Sequence, residues 1–195
     1  RVAVVTGGIG GIGSEVCRQL ALDGRRVIAL DLGGNPARLE SFFAATAGLD
    51  IDFEAADVGN PDSCAAAIDR IRIKHGCIDI LVNAAGITRD ARLVKMARAQ
   101  WDDVLRVNLD SVFTLCQLVI ESMCERGFGR IVNISSVNGQ TGQFGQTNYA
   151  AAKAGIHGFT MSLAREVARK GVSVNSVSPG YIDTEMTRAM REDIR

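Results

Sequence analysis

The sequence predicts an α/β fold in which one doubly wound parallel sheet forms a single domain over residues 1–195. Three observations lead there. Short apolar runs alternate with longer stretches of helical periodicity, the pattern of a parallel sheet covered on both faces. A length of 195 residues suits one domain at about 100 to 200 residues each. No repeat, linker or low-complexity segment divides the chain.

The first strand is read at 2–6, where Val2, Ala3, Val4 and Val5 run without interruption, and a glycine-rich turn passes it to a helix at 11–23. A second strand at 26–31 ends on Asp31. Asn35 and Pro36 then mark the start of a helix at 36–47, since asparagine caps an N-terminus and proline is tolerated in the first turn. Asn60 and Pro61 repeat that signal after a strand at 51–57 and open a helix at 61–75. Strands at 78–83, 130–135 and 172–178 follow, with helices at 99–126, 148–170 and 184–193 between and after them.

Hydrophobic residues make up 47% and charged residues 23%, which excludes wholesale disorder or a coiled-coil rod. Twenty-two basic side chains cancel twenty-two acidic ones, so the chain lacks the basic footprint of a nucleic-acid or anionic-lipid binder. Apolar stretches stop short of the roughly 18 residues a membrane span needs; Asp79 and Asn83 interrupt 78–87. Five scattered cysteines without a CxxC pair read as free thiols of a cytoplasmic protein. His75 and His157 are too far apart in sequence to suggest a metal site, and the chain opens directly on its first strand, with no leader read.

The chemistry begins at Thr6-Gly7-Gly8-Ile9-Gly10-Gly11-Ile12-Gly13. A glycine-rich turn between a strand and a helix lets backbone N–H groups approach a pyrophosphate, and the helix N-terminus adds partial positive charge there, as in a Rossmann-type dinucleotide site. A merely tight turn would need only two glycines. Asp31, 18 residues beyond Gly13, would accept hydrogen bonds from ribose hydroxyls and repel a 2′-phosphate, favouring NAD over NADP. Tyr149 and Lys153, four apart on a helix, project from one face. An ammonium beside a phenol, whose ordinary pKa is about 10, stabilises the phenolate and makes it usable for acid–base work. Ser136 closes the fifth strand 13 residues upstream of Tyr149, and the ends of parallel strands open onto one crevice.

With TGxxxGxG spacing, Asn83-Ala84-Ala85-Gly86, Asn108 within Val107-Asn108-Leu109, Ser136, Tyr149, Lys153 and Pro179-Gly180, the chain resembles the short-chain dehydrogenase/reductase family along nearly all its length. The resemblance implies that Thr6, Gly7, Gly11, Ile12, Gly13, Asn83, Gly86, Pro179 and Gly180 hold NAD(P) together with Asp31, Tyr149 and Lys153. The pair Asp57-Val58 would contact adenine. Ala84 departs from the family's NNAG motif. The implied reaction passes hydride from NAD(P)H to a carbonyl carbon while Tyr149 protonates the oxygen and Ser136 positions it. Lys153 would hold the nicotinamide ribose and Asn108 a proton-supplying water, with no metal. The family pattern runs roughly one helix and one strand beyond residue 195, with a substrate lid starting near residue 181. Family members are commonly tetramers, and Val112, Phe113, Leu115, Cys116, Leu118, Val119 and Ile120 give the fourth long helix apolar surface for such an interface.

Between Ser136 and Tyr149 the loop 137–148 is polar and glycine-rich, unlike the apolar lining expected of a steroid pocket. It is similar to that of the family's acetoacetyl-CoA reductase branch, which makes (R)-3-hydroxybutyryl-CoA for polyhydroxybutyrate synthesis. On that resemblance Gln143, Phe144, Gln146 and Tyr181 surround a short β-ketoacyl-CoA, with Asp90 and Lys95 at the pocket mouth. The branch more often uses NADP, against the preference read from Asp31. A 3-oxoacyl-ACP reductase is the alternative enzyme, and a nucleotide-sensing scaffold without turnover is the alternative outside catalysis.

Overall fold

Alternation along the strands decides which side chain meets which layer. In β1 (Val2–Thr6) and β2 (Arg26–Asp31), Ala3, Val5, Val27 and Ala29 enter one core, while Val4, Ile28 and Leu30 enter the other. This is the period-two rule of a strand buried on both faces. The computed structural model describes residues 1–183 of the chain. Among the described residues the sheet has six strands in the order β3-β2-β1-β4-β5-β6, all parallel, the remaining strands being β3 (Ile51–Ala55), β4 (Ile80–Asn83), β5 (Gly129–Ile134) and β6 (Val172–Val177). The doubly wound expectation holds. The chain reverses direction across the sheet between β1 and β4, so the crevice at their carboxyl ends is where such folds bind ligands.

One face carries α1 (Gly11–Leu22) and α2 (Pro36–Ala45), which bury Cys17, Ala21 and Phe42. The other carries α3 (Pro61–His75), whose Cys64, Ala67, Ile68 and Ile71 join the larger core. Both expected caps form: Asn35 accepts from the Arg38 N–H, and Asn60 from those of Asp62 and Ser63.

The long helix expected at 99–126 is in fact three pieces. α4 (Arg98–Leu105) runs into a π-turn at Arg106–Asp110 and continues as α5 (Ser111–Glu125). The cause is Asn108, whose amide both accepts from the Ile87 N–H (2.8 Å) and donates to the Ile87 carbonyl (2.9 Å), and the one-residue bulge carries it there. Within Arg98–Glu125, 18 consecutive residues reach a mean hydropathy of 1.2, enough by length and composition alone to cross a membrane. Here Val104, Val112, Leu115, Cys116 and Val119 are buried in the domain and Leu118 and Ile120 pack partly against the core, leaving Phe113 exposed.

A short helix not foreseen from sequence, α6 (Asn138–Thr141), follows β5, and α7 (Thr147–Val167) carries the chain back across the sheet. The helix expected at 184–193, and the lid beyond residue 183, lie outside the described residues.

Candidate active site

The turn after β1 is shaped for close approach. Gly7 takes φ +63°, and a Cβ on it would come within 2.9 Å of the Ala85 backbone. A Cβ on Gly13 would stand 2.1 Å from the Gly7 carbonyl oxygen, so α1 can start here only on glycine. Thr6 braces the neighbouring turn, its Oγ1 accepting from the N–H groups of Ala84 and Ala85 at 3.0 Å. α1 begins from Gly10, which offers no side-chain cap, and has no acidic residue in its first turn. Its first N–H groups therefore suit an anion, and the cradle fits the pyrophosphate of a dinucleotide.

Asp31 closes β2 beside this loop, where its carboxylate accepts from the Ile9 N–H (3.3 Å) and the Leu32 N–H (2.8 Å). Sequence reading passed over Arg38, in the first turn of α2. Its Nη2 lies 3.6 Å from where a Cβ on Gly10 would stand, so a carboxylate and a guanidinium flank residues 9 and 10. The available signal was a basic residue seven positions past Asp31. Asp57 accepts from the Gly59 N–H at 2.8 Å, and Val58 packs on the core. Asn83 is buried and donates to the Asn133 Oδ1 (2.8 Å), which ties β4 to β5.

Ser136, Tyr149 and Lys153 converge on one cleft of about 140 Å³, which Ile12, Gly86, Gln146, Pro179, Gly180 and Tyr181 also line. β5 delivers Ser136 and α7 delivers the other two. Lys153 is only 4% exposed. Its Nζ donates to the Ile134 carbonyl (2.8 Å) and sits 5.6 Å from the Tyr149 ring centroid. Burial brings this amine down to about 8. Burial pushes the Tyr149 phenol up from its ordinary value, a Ser136 hydrogen bond opposes that rise, and the Asp90 carboxylate reinforces it. The protein alone therefore holds Tyr149 protonated, where the sequence had suggested a lowering by Lys153. Gly86 leaves the gap between Lys153 and Asn108: a Cβ there would stand 3.3 Å from Asn108 Oδ1 and 3.6 Å from Lys153 Nζ. Bonded twice to Ile87, the Asn108 side chain shapes the turn at Gly86 and keeps one N–H and one oxygen lone pair for a further partner.

Of the residues assigned to substrate, the structure brings two into the cleft wall, Gln146 and Tyr181. Gln146 is 2% exposed and belongs to a chain in which Asn138 Nδ2 donates to its Oε1 (3.0 Å) while its Nε2 donates to Asp90 (2.9 Å). Phe144, 78% exposed, stands off the cleft, as do Gln143 and the exposed Lys95. Ile12, Ile134, Val137 and Ile182 provide the apolar lining instead.

The family model described as short chain dehydrogenase matches residues 1–195. The chain is 55% identical over 196 residues to the acetoacetyl-CoA reductase of Cupriavidus necator, covering 100% of this chain and 79% of that protein. It is 44% identical over 195 residues to a 3-oxoacyl-[acyl-carrier-protein] reductase of Escherichia coli, with the same coverage. A crystal structure of a single-substitution variant of actinorhodin polyketide ketoreductase with NADPH superposes with a TM-score of 0.93 at 36% identity, over 99% of this chain and 75% of that one.

Proposed function

The chain belongs to the short-chain dehydrogenase family, and on that premise we propose that it reduces acetoacetyl-CoA to (R)-3-hydroxybutyryl-CoA, the thioester from which polyhydroxybutyrate is made, as a cytoplasmic homotetramer. The observation that carries this reading is the convergence of Ser136, Tyr149 and Lys153 on a small cleft closed by the Asn138–Gln146–Asp90 chain. The high identity to an acetoacetyl-CoA reductase supports the substrate.

When bound, the nicotinamide supplies the hydride. Ser136 Oγ donates to the keto oxygen and so holds the carbonyl against Tyr149. The Tyr149 O–H gives its proton to that oxygen as negative charge develops, and burial keeps the proton available until then. Lys153 Nζ, anchored on the Ile134 carbonyl, holds the nicotinamide ribose and returns a proton to Tyr149. Asp90, fixed by Gln146, sits close enough to oppose formation of the tyrosinate.

Purified protein should oxidise NADH or NADPH steadily with acetoacetyl-CoA and show a four-chain mass by light scattering. Faster turnover of an ACP-linked substrate would favour the 3-oxoacyl-ACP reductase reading. Cofactor binding without any turnover would favour the sensing scaffold.

Asp31 and Arg38 support use of both cofactors. The carboxylate suits the ribose diol of NADH, and the guanidinium suits the 2′-phosphate of NADPH. Asp31→Ala should move the kcat/KM ratio about tenfold toward NADPH and Arg38→Ala about tenfold toward NADH, each worth ~1.4 kcal/mol. Kd values from cofactor fluorescence should follow the same order, and ratios unmoved in both variants would reject these roles.

A further inference from the structure

Tyr149, Lys153 and His157 are spaced i, i+4 and i+8 on α7 and share one face of it. The first two face the cleft. His157 instead meets three serines at the ends of β5 and β6. Its Nε2 lies 3.1 Å from Ser135 Oγ and 3.3 Å from Ser178 Oγ, and its Nδ1 lies 3.1 Å from Ser176 Oγ. Ser135 follows the last residue of β5 and immediately precedes Ser136. Ser176 is in β6, and Ser178 comes just before Pro179 and Gly180, which line the cleft.

The proton arrangement follows from counting. Ser135 has one hydroxyl hydrogen and gives it to the Lys153 carbonyl at 2.7 Å. Its contact with the ring therefore requires Nε2–H to donate, and in the neutral ring this leaves Nδ1 to accept from the Ser176 hydroxyl. Ser178 Oγ also accepts from Gln140 Nε2 at 3.2 Å, so the network extends to α6. Two backbone bonds run alongside it, Ser135 N–H to the Val177 carbonyl (2.7 Å) and Val137 N–H to the Pro179 carbonyl (3.0 Å). Without the ring, those two bonds would be left to continue the β5–β6 pairing past Ile134 and Val177 in front of the cleft.

We propose that His157 is a positioning residue, which by bridging Ser135, Ser176 and Ser178 fixes Ser136 and the cleft-lining Pro179–Gly180 in register with Tyr149 and Lys153. It touches no reacting atom and acts through the serines. An error of about 1 Å in such a constellation can cost ~10²-fold in rate. The role rests on the reductase reading for its effect on turnover, and on geometry alone for its effect on the strand ends.

The test compares the wild type, His157→Leu and His157→Gln. Glutamine offers an N–H and an acceptor oxygen close to where the ring nitrogens stand, whereas leucine fills the space and offers neither. In His157→Leu, hydrogen exchange should speed up at least tenfold at the N–H groups of Ser135 and Val137 and stay unchanged at mid-sheet Ile131 and Val132. With acetoacetyl-CoA, kcat per cofactor-binding site should fall at least tenfold with KM within threefold. His157→Gln should bring both readouts to within threefold of wild type. Unaltered exchange at Ser135 and Val137 in His157→Leu, or a glutamine variant no better than leucine, would overturn the proposal. If the wild type does not reduce acetoacetyl-CoA, the substrate reading fails, and the exchange measurements still decide the role of His157.

Discussion

Tyr149→Phe is expected to lower turnover by at least ~10², the lower bound for removing a general acid, while cofactor binding survives. The ring remains, so the packing of α7 is kept. Only the O–H that protonates the substrate oxygen is lost, together with its hydrogen bond to Ser136. The glycine loop and Lys153 stay in place, so the Kd for NADH and NADPH by fluorescence should change less than threefold. Near-normal turnover in this variant would sink the mechanism. The wild-type pH profile supplies a second check. Burial holds Tyr149 protonated beyond its ordinary range and lowers Lys153 to about 8. Reduction should therefore decline as pH rises past about 8, because Lys153 loses its proton while Tyr149 keeps its own.

Lys153→Met should make the protein more stable and inactive. In the folded state the amine titrates near 8, against 10.5 for the free side chain. Folding therefore disfavours the charged form. That cost is fully present below pH 8, relieved as pH rises from 8 to 10.5, and absent above it. The gap is worth about 3 kcal/mol at 1.36 kcal/mol per pH unit. Removing the amine leaves the Ile134 carbonyl without this donor and returns about 1 kcal/mol. A net gain of about 2 kcal/mol at pH 7 should raise Tm by roughly 4–8 °C in a domain of this size. The advantage should shrink between pH 8 and 10.5. Turnover should fall by at least ~10², since neither the ribose nor the proton return has its ammonium. A methionine variant no more stable than wild type at pH 7 would show that burial of Lys153 costs little.

The sheet was legible because β1, β2 and β4 are short apolar runs, and the crossovers through α2 and α3 carry their own start signals in Asn35-Pro36 and Asn60-Pro61. The glycine loop and the Tyr149–Lys153 spacing were legible for the same reason. A turn with room only for hydrogen atoms and a pair one helical turn apart are local facts, written in consecutive residues. These determined the α/β class, a dinucleotide cradle and an acid with its ammonium partner.

What only the tertiary structure decided are the contacts between residues far apart in the chain. Asn108 reads as a poor helix residue until Ile87, 21 positions away, claims its amide and a π-turn forms. Asn83 ends a strand, and only the pairing of β4 with β5 gives its amide Asn133 as a partner. Arg38 reads only as a basic residue seven positions past Asp31 until the fold lays it beside Gly10, and the 78% exposure of Phe144 is set by where the loop 137–148 packs. His157 reads as a lone histidine until β5 and β6 bring three serines to its ring. A polar side chain has several bonds it could make, and its residue type sets how many. Which of them it makes depends on what the sheet order brings within about 3 Å, and that is settled when the strands pair.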